Sequence, residues 1–419
     1  MTDSSATSEP DTATIAEPSD RFREKRDRIL DAAARIINER GLKALTFVAV
    51  ADEVGLNTTS VTYYFKRKEL LAAAALDRSM DQLAGMLQRA AQEATPRDRV
   101  RVLVRLYIEH MANTRLGRER PMTLLSDLRA TENVIRGRLM DTFVERISGP
   151  TARLFDPGPG PEGPMLNRAR AHVLLDTLFW MRAWLPKYSV GDYERIGLRT
   201  MDLLTRGFIP EGTPWTASPP PPAPDTAATA EISRETYLRV ATRLINDRGY
   251  RGASVERIAA ELNVSKGSFY HHIDGKDDLV LECFQRSYGR FSQSQRRCIE
   301  LPGSHLDRLT ACMAELLDVQ FGKTYPLLRI TALQALPTEL RLQVLARSDR
   351  MAIRFAGIIS DGIAEGSIRA VDPLIASQCV TGIINSAYDM RHWADQLPTR
   401  QRAIELYAHP LAFGLFTPL

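Results

Sequence analysis

Residues 254–279 read SVERIAAELNVSKGSFYHHIDGKDDL. Ser254 is placed to cap a short helix whose Val255, Ile258, Ala259 and Leu262 face inward. Asn263 follows, a residue type that tolerates a left-handed backbone. Ser265 then caps a second short helix through Lys266, Gly267, Ser268, Phe269, Tyr270, His271 and His272. Upstream, Leu238, Ala241, Leu244 and Ile245 keep helical spacing as far as Gly249, which stands where a C-cap would. Helix, left-handed turn, capped helix is the helix-turn-helix arrangement, whose second helix enters the DNA major groove.

The same object is spelled with other letters 208 residues earlier. Thr46 caps, Val50, Ala51 and Val54 face inward, and Gly55 supplies the turn. Asn57 caps a helix of Thr58, Thr59, Ser60, Val61, Thr62, Tyr63 and Tyr64, followed by Phe65. An ungapped shift also aligns identical residues, among them Arg35/Arg243, Asn38/Asn246, Gly41/Gly249, Lys68/Lys276 and Ser79/Ser287. The exchanges Thr46/Ser254, Gly55/Asn263 and Asn57/Ser265 weigh more, because each preserves a backbone mechanism. So long a period excludes a solenoid and predicts a duplicated unit fused head to tail.

The seam agrees. Residues 208–230 pass through Pro210, Pro214, Pro219 to Pro222 and Pro224 into Thr- and Ala-rich sequence. Such a stretch is a semi-rigid linker that could reach ~70 Å at ~3.1 Å per residue. Elsewhere amphipathic helical spacing dominates and strand signals are weak, so the fold is expected to be all-α.

The 419 residues suggest two or three domains, and 44% hydrophobic with 25% charged residues is ordinary for a globular chain. No apolar run approaches the ~18 residues of a membrane span, and no secretory signal opens the chain. Cys283, Cys298, Cys312 and Cys379 show neither CxxC pairing nor metal-ligand spacing, so a reduced, cytoplasmic protein is expected. The net charge of +4 hides an asymmetry. Residues 1–20 carry five acids and no base, the composition of a disordered tail, and Arg21, Arg23, Lys25, Arg26 and Arg28 follow as a basic arm. Residues 21–80 hold twelve Lys/Arg against eight Asp/Glu, whereas residues 231–290 hold ten against nine. No nucleophile–base arrangement or phosphate loop occurs, and adjacent His271 and His272 would point ~100° apart on a helix. No enzyme activity, cofactor or metal is therefore expected.

Ser254 to Leu279 resembles the signature of TetR/AcrR-family regulators at Ile258, Ala259, Val264, Ser265, Gly267, Phe269, Tyr270, Lys276 and Leu279. The first copy resembles it at Thr46, Ala51, Gly55, Tyr64, Phe65, Lys68 and Leu71. It departs at Thr59 and Thr62, where the family has Gly and Tyr; the second copy departs at Asn263 and Ile273, where it has Gly and Phe. The resemblance implies two TetR-like copies, each a three-helix DNA-binding domain followed by a helical ligand-binding and dimerisation bundle. The expected boundaries are an acidic tail 1–20, a DNA-binding domain 21–72 with its bundle 73–209, a linker 210–230, and a second pair at 231–280 and 281–419.

It further implies that Thr58, Thr59, Ser60, Thr62 and Tyr63, with Lys266, Gly267, Ser268, Tyr270 and His271, face base edges of double-stranded operator DNA. Thr46, Ser254, Tyr64, His272, Lys68 and Lys276 would touch phosphates. A small-molecule effector would enter a bundle. Tyr107, His110, Trp180, Trp184, Arg329, Asn385 and Arg391 are its candidate contacts, since a polar group in an apolar face demands a partner. In the family two chains pair through their last two helices; here the counterparts lie in one chain, which predicts a monomeric pseudo-dimer. The leading reading is a ligand-responsive repressor on an asymmetric operator. The alternative is a small-molecule-sensing or scaffold protein with one degenerate DNA-binding unit, suggested by the weaker charge of the second copy.

Overall fold

The computed structural model describes residues 19–123, 125, 131, 133–158, 160–217, 234–272, 275–322, 326–329, 332–333, 336 and 338–419. Most of the expected acidic tail and the proline run of the linker lie outside the described residues. Of the tail, Ser19 and Asp20 are described: the Ser19 side chain caps the first helix by accepting from Phe22 N, and Asp20 lies in its first turn, where a carboxylate opposes the helix dipole favourably.

The first half contains α1 (Asp20–Arg40), α2 (Phe47–Val54), α3 (Thr58–Tyr64), α4 (Lys68–Ala90) and α5 (Pro96–Arg115). It continues with α6 (Asn133–Phe143), α7 (Gly149–Ala152), α8 (Gly163–Trp184) and α9 (Tyr193–Arg206). The second half contains α10 (Arg234–Gly252), α11 (Val255–Glu261), α12 (Lys266–His272), α13 (Lys276–Ile299) and α14 (His305–Phe321). Then come α15 (Thr338–Glu365), α16 (Pro373–Ser386), α17 (Arg391–Ala394) and α18 (Arg400–Ala412). The fold is all-α, two TetR-like copies in one chain, as the sequence predicts.

Each half begins with a small head, α1–α3 or α10–α12, joined to the body by a long helix, α4 or α13. The first head has a hydrophobic core of its own, from Ile29 and Leu30 through Val50, Val54 and Val61 to Leu71. The second head does not. Its Tyr237, Leu238, Ala241, Ile258 and Phe269 belong to the cluster that runs on through the whole body.

The two halves meet where α8 and α9 pack against α16 and α18. Polar contacts fix the register at this interface. Trp180 Nε1 donates to Gln378 Oε1 (3.0 Å), Trp393 Nε1 donates to Met165 O (3.1 Å), and Arg402 is paired with Glu162 (2.5 Å). The chain ends cross backbone to backbone: Phe208 N donates to Ala412 O (3.0 Å) and Leu415 N to Leu204 O (2.7 Å). The expected pairing of the last two helices of each copy thus occurs within the chain. The start of the linker follows the same seam, with Gln401 Nε2 donating to Ala217 O (2.8 Å).

Candidate nucleic-acid interface

The special positions of both heads adopt the conformations their residue types favour. Thr46 accepts from Ala49 N (3.1 Å), and Asn57 accepts from Ser60 N (2.7 Å). Between them Gly55 is left-handed, at φ 65° and ψ 39°. In the second head Ser254 accepts from Arg257 N (3.3 Å) and Ser265 from Ser268 N (3.2 Å). Asn263 turns at φ 56°, where only Gly, Asn or Asp are at ease. One ion pair recurs in both heads, Arg35 with Glu53 and Arg243 with Glu261.

Helix α3 turns Val61 inward and leaves Thr58, Thr59 and Tyr63 exposed, Tyr63 by 67%. Thr62 is half-buried, and its Oγ1 donates to Thr59 O (2.9 Å), so its hydroxyl proton is already engaged on the helix. Tyr64 is half-buried against Phe22, with ring centroids 4.7 Å apart, so the start of α1 braces the reading helix. Helix α12 turns Phe269 inward and exposes Lys266, Gly267, Tyr270 (55%) and His271. Ser268 is different: its hydroxyl shares a 2.7 Å hydrogen bond with the buried Tyr237, so it steadies the helix from inside. Lys266 Nζ lies 2.6 Å from Glu256 Oε1. Lys68 and Lys276 stand at the first positions of α4 and α13. The side chain of His272 lies outside the described residues.

The candidate effector residues separate. Tyr107 and His110 line a cavity of about 360 Å³ with Met111, Thr114, Arg115, Pro121, Met122, Arg182, Pro186 and Tyr193. His110 Nδ1 is 2.6 Å from Glu119 Oε2; burial works against the Glu119 carboxylate, but hydrogen bonds from His110 and Asn113 win and hold its pKa down. Burial raises the Tyr107 pKa, keeping the phenol neutral. Trp180, Trp184, Arg329, Asn385 and Arg391 do not line this cavity. Trp180 belongs to the seam, and Trp184 is core packed on Tyr188. Arg329 pairs with Asp389 and donates to Asn246 O, Arg391 pairs with Asp247 (2.7 Å), and Tyr388 OH donates to Asp247 Oδ1 (2.8 Å). These residues clamp the second head to the body. Asn385 is buried near the end of α16, and among the described residues its Nδ2 has no hydrogen-bond partner.

Two residues carry a role that periodicity alone does not reveal. Asn38 Nδ2 donates to Met122 O (2.9 Å), while the Ser79 hydroxyl accepts from Thr123 N (2.7 Å). In the second half Asn246 Nδ2 donates to Leu327 O (2.9 Å), and the Ser287 hydroxyl accepts from Leu328 N (2.8 Å). The strip after α5, and its counterpart after α14, is therefore stitched to both the head and the long helix. The signal was present as identity between copies: Asn38/Asn246 lies in a run of retained residues, and Ser79/Ser287 is retained where most neighbours differ.

Comparison with known proteins agrees with this geometry. The family description "Bacterial regulatory proteins, tetR family" matches residues 29–75 and again 238–283, and "Tetracyclin repressor-like, C-terminal domain" matches 302–393. The TetR family's N-terminal helix-turn-helix unit is thus present twice, and the chain is built as a tandem of TetR-like units. A fatty acid metabolism regulator protein of Bacillus subtilis is 23% identical over 158 residues, 36% of this chain and 81% of that protein. The HTH-type transcriptional repressor KstR2 of Mycolicibacterium smegmatis is 26% identical over 153 residues, 35% of this chain and 73% of that one. Among solved structures, AibR in complex with isovaleryl coenzyme A and operator DNA is 26% identical, with a TM-score of 0.35, over 44% of this chain and 99% of that chain. Among the described residues no helix is long and apolar enough to cross a membrane, and no cluster of three His, Cys, Asp or Glu side chains could hold a metal ion.

Proposed function

We propose that the chain is a ligand-responsive transcriptional repressor that holds one asymmetric operator with both heads and releases it when a small molecule enters the cavity beside Met122. One observation carries the reading. Met122 lines the cavity, and its carbonyl accepts both Asn38 of the first head and Arg182 of α8 (2.9 Å each). A ligand that displaces Met122 therefore acts on the head directly, and it favours whichever head position the filled cavity prefers.

The cavity suggests the effector class. Met111, Pro121, Met122 and Pro186 give it apolar wall, and its volume lies in the range of small-molecule sites. Its two guanidiniums are already committed to carbonyls: Arg115 donates to Pro186 O (2.5 Å) and Tyr188 O (3.2 Å), Arg182 to Met122 O. An amphipathic molecule, apolar in body with one polar end to compete for those arginines, fits this lining. The names of the two relatives, a regulator of fatty acid metabolism and a repressor, are in keeping with it.

Mobility shifts on the DNA upstream of the chain's own gene test the reading. Lys68→Ala with Tyr64→Ala, and Lys276→Ala with Tyr270→Ala, should each weaken binding by several kcal/mol, because half-site contacts add. If either pair leaves affinity unchanged at physiological salt, that head is not a DNA reader and the scaffold reading takes its place. A ligand that releases DNA should also change the fluorescence of Trp184, close to the cavity through Pro186.

A further inference from the structure

The ion pair Lys266–Glu256 joins the first residue of the second reading helix to the second residue of the helix before it. Nζ and Oε1 are 2.6 Å apart, and both side chains are 59% exposed. An exposed pair of this kind contributes little to stability. It also places an acid on the face that must approach a polyanion. At the same two positions of the first head stand Val48, itself 58% exposed, and Thr58. The heads thus differ in chemistry at one matched place on the surface that would meet DNA.

We propose, resting on the DNA-binding reading above, that Lys266 and Glu256 together read one G·C base pair in the second half-site. In the major groove guanine offers two acceptors, N7 and O6, and cytosine beside it offers the N4 amino donor. A cation and a carboxylate held side by side match that order: Lys266 donates to guanine and Glu256 accepts from cytosine N4. The carboxylate then has a donor on DNA instead of an unrelieved repulsion. An A·T pair in the same place sets thymine O4, an acceptor, against Glu256, and is rejected. Val48 and Thr58 offer the first half-site methyls and one hydroxyl, which suit a thymine methyl.

The acid is present at every working pH, since the hydrogen bond from Lys266, with backbone and Ser254 contacts, holds the Glu256 carboxyl down at about 2. Glu256 is therefore a specificity-determining group and not a pH switch.

Binding-site selection with the full chain, followed by mobility shifts on single-base-pair variants, tests this. The unaltered chain should prefer G·C over A·T at one position of one half-site by ~10-fold or more. Glu256→Gln should lose most of that preference, since an amide both donates and accepts. Lys266→Thr with Glu256→Val, which grafts the first head's residues, should shift the selected half-site toward the other half. Circular dichroism and melting confirm that the variants are folded, and the conservative Glu256→Gln keeps the test open if the double variant is not. A chain that selects a site whose base preferences are unmoved by either variant overturns this inference alone. A chain that selects no sequence overturns the DNA-binding reading beneath it.

Discussion

Asp176 lies half-buried on α8 in the seam between the halves with its Oδ2 shut off from solvent, and Gly382 of α16 makes room for it: a Cβ there would lie 2.8 Å from the carboxylate. Burial raises its pKa to about 7, opposed by a hydrogen bond from Ser386 and assisted by the negative charge of Asp389. Among the described residues Oδ2 finds no hydrogen-bond partner. The consequence for stability has a definite sign. Below about pH 4 the group is protonated both folded and unfolded, so burial costs little. As pH rises the unfolded chain ionises first, while the folded chain keeps its proton until about 7. Stability from this group therefore declines between about pH 4 and 7 and is flat above, by on the order of 4 kcal/mol at ~1.36 kcal/mol per unit. Asp176→Asn should melt above the unaltered protein at pH 8 and close to it at pH 4.5. A melting difference that does not vary with pH would show that another group dominates. At the same scale Tyr237 holds Ser268 from within, so Tyr237→Phe should loosen α12 and cost DNA affinity by about 1 kcal/mol without touching DNA.

At the scale of elements, the closing helices α9 and α18 are followed by Gly207 and Gly414, at φ +63° and +103°. A Cβ on Gly207 would collide with the Ala412 carbonyl, and one on Gly414 with the Thr205 carbonyl. Either Gly→Ala change should lower stability by more than the ~1 kcal/mol of backbone strain alone, because the two crossing strands of chain must part. Differential scanning calorimetry would read it as a lower melting temperature. These glycines were not visible as interface residues in the sequence, since close approach of two backbones leaves no side-chain pattern. The heads were legible for the opposite reason. Caps and left-handed turns restrict residue type locally, so Thr46, Gly55, Asn57, Ser254, Asn263 and Ser265 announce themselves without tertiary context. The bundles were legible as helices but not as walls: whether Arg329 or Arg391 faces a cavity or a head depends on neighbours ~60 to 140 residues away, which periodicity does not encode. The stitching residues fall between. Asn38→Ala should break the bond to Met122 and leave DNA binding less sensitive to the effector, while Asn246→Ala should chiefly destabilise the second head. Effector titrations of DNA affinity separate the two outcomes.

At the scale of the molecule, the two TetR-like copies pack on one another within one chain and hold their heads differently. The first head keeps a separate core and is stitched beside the cavity. The second shares the body's core and is clamped by Arg329, Tyr388 and Arg391. On the proposed function, a head with its own core would move as a unit when a ligand displaces its stitch, whereas moving the second would break the Asp247 and Asn246 contacts together. The surfaces that would pair two separate TetR-like chains are already covered by α8, α9, α16 and α18 of the same chain. The free protein is therefore expected to sediment as a single chain of about 47 kDa. Because the reading helices present Thr58, Thr59 and Tyr63 on one side and Lys266, Tyr270 and His271 on the other, a palindrome satisfies one half and leaves the other mismatched, at ~1–3 kcal/mol per wrong base pair. One chain should thus bind one asymmetric site in a fixed orientation. Sedimentation of the complex counts the chains, and binding-site selection reports the symmetry. Two chains in the minimal complex, or a perfect palindrome bound most tightly, would refute this arrangement, because each requires the two heads of one chain to act as equals.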